Sequence, residues 1–235
     1  MNHPLLLTSF SKYQIATGTA IFFHAIGLTG ILFFNNSFFL QSTPFNLLLS
    51  VALLVWTQQD RNKWFLLFAL VVFTIGFAVE VIGVNTGLLF GNYSYGKVLG
   101  FQWKNVPVII GLNWFIVIYC CGVSIHIFLA RIIKRLTFET KTTPMALKAI
   151  SIIADGATLA VLFDWLIEPV AVKLGYWHWK GDGSIPPYNY ICWALTSALL
   201  LTVFHFCPFN KENKFAIHLL LIQALFFLLL RTFLK

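Results

Sequence analysis

The sequence predicts an all-α protein, a bundle of about seven helices that span a membrane. Of its 235 residues, 59% are hydrophobic and only 10% are charged, and the mean hydropathy is +0.82. A soluble domain carries about 25% charged residues, so this composition cannot supply a water-facing surface. The apolar residues also form runs long enough to cross the hydrocarbon core, which takes about 20 residues per helix.

Seven apolar segments approach the length of a membrane span and together predict one integral membrane domain over residues 1–235. The second segment is the weakest, because the apolar run from Pro44 to Gln58 is short. Six spans with a re-entrant piece are therefore the main alternative, and the expected count is six to eight. The segments are 14–34, 41–58, 64–84, 106–130, 146–170, 189–207 and 215–234.

The distribution of positive charge predicts the orientation of the bundle. With seven spans, ten Lys and Arg residues fall on the side of the N-terminus and six on the other side. Because positive loops stay in the cytoplasm, we expect the N-terminus there, in a bacterial inner membrane. The same bias explains the net charge of +8, so no nucleic acid partner is expected. The long connections 85–105 and 171–188 share the opposite face and are rich in Gly, Tyr, Trp and Asn.

Four of the eight acidic residues stand inside apolar runs: Glu80, Asp155, Asp164 and Glu168. A charged group at the bilayer centre costs about 2.5–3.5 kcal/mol on insertion scales, so such residues usually face the interior and have a function. At a rise of 1.5 Å per residue, Glu80 and Asp164 lie about 6–9 Å from the same membrane face. Asp164 and Glu168 are four residues apart and share one face of their helix.

Each of these acids also has an alternative interpretation. Asp155 lies about 180° around the helix from Asp164, so it joins the cluster only if the helix is broken between them. Glu168 stands near a helix end and could extend its carboxyl group to the interface. Glu80 and Asp164 could simply hold the bundle together through hydrogen bonds with Asn113, Tyr or Trp groups.

The sequence lacks the motifs that are typical of several classes of enzyme. No GxGxxG fingerprint follows a strand-like run, which argues against a flavin or nicotinamide enzyme. The six histidines stand singly, without the paired spacing of a membrane di-iron oxygenase, so no metal site is expected. No DDxxD-type run would hold magnesium and a diphosphate, which argues against a prenyltransferase. A carboxyl pair in an aromatic, apolar cavity remains.

Two blocks rich in glycine and aromatic residues resemble a known family. The first, Glu80–Tyr95, reads EVIGVNTGLLFGNYSY and continues through Leu99-Gly100 and Val106-Pro107 to Trp114. The second contains DWLIEP at 164–169, GYWHW at 175–179, IP at 185–186 and NYICW at 189–193. In order and spacing, over about 65–195, they resemble the carotenoid biosynthesis membrane proteins of the CruF-like group, the carotenoid 1,2-hydratases, which include bisanhydrobacterioruberin hydratases.

Three positions depart from the pattern of that family. Asn92 stands where the family usually has Arg, Ser184 where it has Gly, and Cys192 where it has another Gly. The acidic and aromatic positions are kept, so the chemistry of the family is expected here. The change at position 92 leaves the exact substrate open.

The resemblance implies a substrate and a reaction. The substrate would be a long carotenoid with an acyclic end, such as lycopene or a monocyclic relative. Water would add across its terminal C1=C2 double bond and give a tertiary hydroxyl. The expected partners are this lipophilic substrate, the membrane lipids and other carotenoid-pathway enzymes. Protonation by a carboxylic acid requires no cofactor.

The buried acids fit such a reaction. A carboxylic acid kept neutral by burial is a proton donor, and a second carboxyl group can orient the water and take its proton. We expect Asp164 and Glu80 to be this acid–base pair, in an unassigned order, with Asn113 and Asn189 positioning water. Aromatic faces would shelter the cation. The candidates for that shelter and the end-group pocket are Tyr93, Tyr95, Trp114, Trp165, Trp177, Trp179 and Trp193.

Two other functions stay open. A cofactor-free carotenoid cyclase would use the same protonation but let an internal alkene capture the cation. A transporter or a scaffold without catalysis would also place acids in its helices and would leave pigments unchanged.

Overall fold

The computed structural model describes residues 10–34, 37–136 and 145–234. Within these residues, seven helical segments are long and apolar enough to cross a membrane. The predicted helical bundle is confirmed, and the protein is an integral membrane protein. The weak second segment reaches 21 residues because a short helix at Ser37–Gln41 precedes the main one, which favours seven spans. Residues 137–144 of the predicted basic connection, including Lys141, lie outside the described residues.

The helices follow one another along the chain, and two of the connections between them are long. They are α1 (Lys12–Thr29), which continues as a π-helical turn at Gly30–Phe34, α2 (Ser37–Gln41), α3 (Thr43–Thr57), α4 (Lys63–Thr86), α5 (Ile109–Leu136), α6 (Met145–Lys173), α7 (Pro187–Phe206) and α8 (Lys214–Phe233). Four short strands stand in the two long connections: β1 (Tyr93–Tyr95), β2 (Gln102–Trp103), β3 (Val106–Pro107) and β4 (Trp177–Trp179).

Helix α5 forms the centre of the bundle. It packs against α3, α4, α6, α7 and α8, and every residue from Trp114 to Val123 is buried. A helix that is apolar and buried on all sides belongs in the middle of a bundle. The outer helices expose large apolar side chains instead, as lipid contact allows; examples are Phe22, Phe45, Leu70, Leu162, Leu195 and Leu221.

Glycines bring α4 close to its neighbours. A Cβ atom at Gly76 would lie 2.5 Å from Cβ and Cγ of Trp114, so only glycine lets α5 approach at this level. Small residues commonly serve this purpose between membrane helices. Helix α4 then ends at Gly87, whose φ of +69° is the left-handed conformation that favours glycine at a helix C-terminus. These contacts fix the end of α4 that carries Glu80.

The two long connections are joined by an antiparallel pair of strands, β1 and β4. Tyr93 stands opposite Trp179, and Tyr95 stands opposite Trp177. This pairing confirms that the connections share one face of the bundle, as their positions in the chain predict. Neither strand is among the elements predicted from the sequence, although aromatic residues at every second position, YSY and WHW, are their signal.

Candidate active site

The three acids Glu80, Asp164 and Glu168 meet in one small pocket beneath the β1–β4 pair, which we call the acid pocket. Its volume is about 30 Å³. Helices α4, α5, α6 and α7 form its sides. It is lined by Glu80, Phe90, Tyr93, Tyr95, Ile110, Asn113, Trp114, Asp164, Glu168, Trp177, Trp179, Asn189 and Trp193. These lining residues, all from the described part of the chain, include no Lys, Arg or His.

The carboxyl group of Glu80 accepts three hydrogen bonds. Oε2 accepts from the hydroxyls of Tyr93 at 2.5 Å and Tyr95 at 2.8 Å, and Oε1 accepts from Nε1 of Trp114 at 3.0 Å. The two tyrosines are two residues apart on a strand and therefore point to the same face. Strand β1 thus directs both hydroxyls at one carboxyl group.

Strand β4 repeats this arrangement on Glu168. The indole N–H groups of Trp177 and Trp179 each donate to Oε2 of Glu168 at 3.0 Å. The two residues again share one face of their strand. Glu168 is buried, so the expectation that its carboxyl group could extend to the interface is wrong. The non-local strand pairing, rather than the position of Glu168 along α6, determines its surroundings.

Asp164 has fewer polar contacts than its two neighbours. Its Oδ2 accepts one hydrogen bond, from Nδ2 of Asn189 at 2.9 Å, and the same amide nitrogen lies 3.4 Å from Oε1 of Glu168. Among the hydrogen bonds of the described residues, none involves Oδ1 of Asp164. Asn189, expected to position water, therefore links two of the three acids.

The hydroxyls of Tyr93 and Tyr95 are fixed as donors. Burial and the neighbouring Glu80 raise the pKa of both phenols well above the usual value of tyrosine. A neutral phenol donates a hydrogen bond to a carboxylate and keeps its proton. Both hydroxyls are therefore neutral hydrogen-bond donors that hold the Glu80 carboxyl group in place.

Aromatic rings enclose the acids. Trp114 and Trp193 stack with ring centroids 4.1 Å apart. Tyr93 packs on Trp179, its partner in the strand pair, at 5.3 Å. The negative faces of such rings stabilise cations, so the pocket combines acids with walls suited to a carbocation.

Two of the predicted site residues lie elsewhere. Asp155 is exposed on α6 and does not line the pocket. Trp165 is 50% exposed, and the guanidinium carbon of Arg231 lies 4.0 Å above its ring. Nη1 of Arg231 also donates to the Trp165 carbonyl at 3.0 Å. Pro169 cannot donate to that carbonyl within the helix, so the arginine on α8 replaces the missing bond.

The other predicted residues line the acid pocket, and two further ones were missed. Phe90 and Ile110 also form its wall. Isolated apolar residues give no functional signal in an apolar sequence, so only the tertiary structure reveals them. Within the described residues, no group of three His, Cys, Asp or Glu side chains has the geometry to hold a metal ion.

Fold and site together define a helical membrane protein with a buried cluster of acids. The sequence family described as carotenoid biosynthesis protein matches residues 42–235. The chain belongs to this family.

One curated relative is bisanhydrobacterioruberin hydratase from Haloarcula japonica, which is 25% identical over 194 residues. The match covers 76% of this chain and 61% of the relative, so the chain spans less than two thirds of that protein. No solved structure matches the chain.

Proposed function

We propose that this protein is a carotenoid 1,2-hydratase, which adds water to the terminal C1=C2 double bond of an acyclic carotenoid end group. One observation carries the proposal: three carboxyl groups surround a water-sized, aromatic-walled pocket whose described lining holds no cation. Membership of the carotenoid biosynthesis family supports the substrate class. The name of the relative from Haloarcula japonica supports hydration as the reaction.

Asp164 is the proton donor in this proposal. Three like-charged groups in one apolar pocket cannot all be ionised, because repulsion and lost hydration both oppose charge. Glu80 and Glu168 each accept three hydrogen bonds, which stabilise a carboxylate. Asp164 accepts one. The proton shared by the cluster therefore resides on Asp164, with Oδ1 available to carry it.

The reaction then proceeds in two steps. The Asp164 proton passes to C2, the π electrons of C1=C2 form the new C–H bond, and a tertiary cation is left at C1. The aromatic faces of the pocket, Trp114 and Trp193 among them, stabilise this cation. Water forms a bond to C1 through its oxygen and loses a proton to Glu168. Transfer of that proton from Glu168 back to Asp164 restores the cluster, while Glu80 remains a fixed negative charge.

The size of the acid pocket favours water over an internal alkene as the nucleophile. A cavity needs about 10–15 Å³ to hold one water molecule and several polar partners to retain it. The acid pocket has about 30 Å³ and carboxyl and amide groups on its walls. These groups can retain the attacking water molecule beside the end group of the substrate.

The orientation of the protein in the membrane is part of the proposal. The excess of Lys and Arg on the side of the N-terminus favours a cytoplasmic N-terminus in a bacterial inner membrane. The acid pocket then lies in the outer half of the bilayer, beneath the β1–β4 pair. A lipophilic carotenoid dissolved in the same membrane reaches it without crossing water.

The test is expression of the full chain in a lycopene-producing host, followed by mass spectrometry of the pigments. A gain of one water per reacted end supports hydration. An isomer of unchanged mass that contains a ring would identify a cyclase, and unchanged pigment would favour a transporter or scaffold. Full hydroxylated product from both the Asp164→Asn and the Glu168→Gln variants would contradict the assigned acid and base.

A further inference from the structure

The acid pocket is the innermost of four neighbouring cavities on the face that carries β1 and β4. An inner cavity of about 60 Å³ shares Ile110, Asn113 and Trp177 with it. An outer cavity of about 390 Å³ shares Thr43 with the inner one. A surface groove on α1 and its π-helical turn shares Ile26 and Phe39 with the outer cavity. Each cavity thus adjoins the next, from the outer surface of the bundle to the acids.

The volumes of the acid pocket and the outer cavity indicate that the two have different functions. The acid pocket, with about 30 Å³, is large enough for water but far too small for a polyene. The outer cavity, with about 390 Å³, falls within the range of about 300–1,000 Å³ that is typical of ligand sites. Its wall is mostly apolar and aromatic, from Phe23, Ile31, Phe39, Phe45, Leu49 and Phe226. A hydrocarbon is the ligand such a wall selects.

We propose that the outer and inner cavities bind the conjugated polyene of the substrate and deliver its acyclic end to the acid pocket. This inference rests on the proposed hydration of carotenoids. A polyene has no hydrogen-bonding groups, so close van der Waals contact with an apolar wall must hold it. The chain enters from the bilayer through the groove on α1.

Thr43 stands where the outer and inner cavities adjoin. Its Oγ1 and the hydroxyl of Tyr176, which lines the inner cavity, form a hydrogen bond of 2.8 Å that ties α3 to the connection after α6. Burial raises the pKa of Tyr176, so this bond persists in the neutral form. The hydrogen bond therefore fixes the wall that the two cavities share.

Gly27 offers a direct test because it lines the outer cavity on α1. A Cβ atom there would lie 3.8 Å from Cε2 of Phe226, an ordinary contact, so alanine is tolerated while larger side chains fill the cavity. Gly18 on the same helix is the matched control, since a Cβ atom there meets nothing within 4 Å.

The first experiment compares conversion of a long acyclic carotene by the purified full chain and its variants in detergent. Relative to wild type, Gly27→Leu should lower conversion by about tenfold or more. Gly18→Leu should stay within about twofold of wild type. Undiminished conversion by Gly27→Leu, or equal losses in the two leucine variants, would overturn the cavity assignment.

A binding experiment separates this inference from the proposed function. The protein is purified from a carotenoid-producing host, and the retained pigment and phospholipid are quantified. We expect wild type and Gly27→Ala to retain carotene and Gly27→Leu to retain about tenfold less. Undiminished retention by Gly27→Leu, or phospholipid in place of pigment in wild type, would refute the polyene site. A third outcome is also informative: wild type retains pigment but hydrates none of it, and Gly27→Leu loses the pigment. That result would support the polyene site and refute the hydratase.

Discussion

The side-chain amide of Asn189 on α7 donates a 2.9 Å hydrogen bond to Oδ2 of Asp164 on α6. This contact orients the acid that has the fewest polar partners in the pocket. Because the amide holds Oδ2, the proposed mechanism uses Oδ1 to carry the proton toward the substrate. The relationship makes Asp164 the most informative position for mutagenesis.

Asp164→Asn should lower hydration by about 10²–10⁴-fold, the usual contribution of a general acid. The amide keeps the size of the side chain but cannot transfer a proton to the alkene. Conversion of an acyclic carotene by purified protein measures the effect. Asp155→Asn on the same helix is the control and should retain activity, since Asp155 is exposed and outside the pocket. Comparable losses in the two variants would argue against Asp164 as the donor.

Tyr95→Phe should destabilise the protein by about 1–3 kcal/mol, because it removes one of the three donors to the buried Glu80 carboxyl. Tyr93→Phe should have a similar effect through the other hydroxyl on the same oxygen. Thermal unfolding in detergent measures the change. Tyr13→Phe, which affects only a hydrogen bond from Gln59 at the opposite end of the bundle, should stay within about 0.5 kcal/mol of wild type. Unchanged stability of both pocket variants would refute this role of the tyrosines.

Gly76→Ala should lower the free energy of unfolding by about 1–3 kcal/mol. The new methyl group would overlap Cβ and Cγ of Trp114, which cannot rotate away from it. The displacement also draws the Trp114 indole away from Glu80, so activity should fall with stability. Gly18→Ala provides the comparison: its methyl group meets no neighbour and should stabilise α1 by up to about 1 kcal/mol. The same unfolding assay and substrate assay measure both variants, and a neutral Gly76→Ala would show that α4 and α5 can separate freely.

Cysteine labelling tests the orientation of the bundle. Cys120, Cys121, Cys192 and Cys207 are buried, so a single new surface thiol can be detected against them. Asp182 and Glu212 are exposed in connections on opposite faces. In intact cells, Asp182→Cys should react with a membrane-impermeant maleimide and Glu212→Cys should not. The reverse pattern would place the N-terminus outside and the acid pocket in the cytoplasmic half.

Much of the architecture follows from the sequence because its signals are local. Apolar runs of span length predict the helices, and the order of the spans places both aromatic connections on one face. Glu80 and Asp164 stand out because acids in apolar runs are costly, and their distance from the helix ends gives their depth. These inferences need only the rise of a helix and the properties of the bilayer.

The tertiary structure alone decided which side chains meet. Helical periodicity places Glu168 on the face of Asp164, but the tryptophans that bind it come from β4, a strand held in place by pairing with β1. Trp165 follows Asp164 directly, yet it points outward to Arg231 on α8. The sequence by itself determined a membrane bundle with acids at one end. The packing of helices and strands distant in the chain determined the hydrogen bonds of each acid and the cavities that lead to them, because such contacts depend on where separate elements cross.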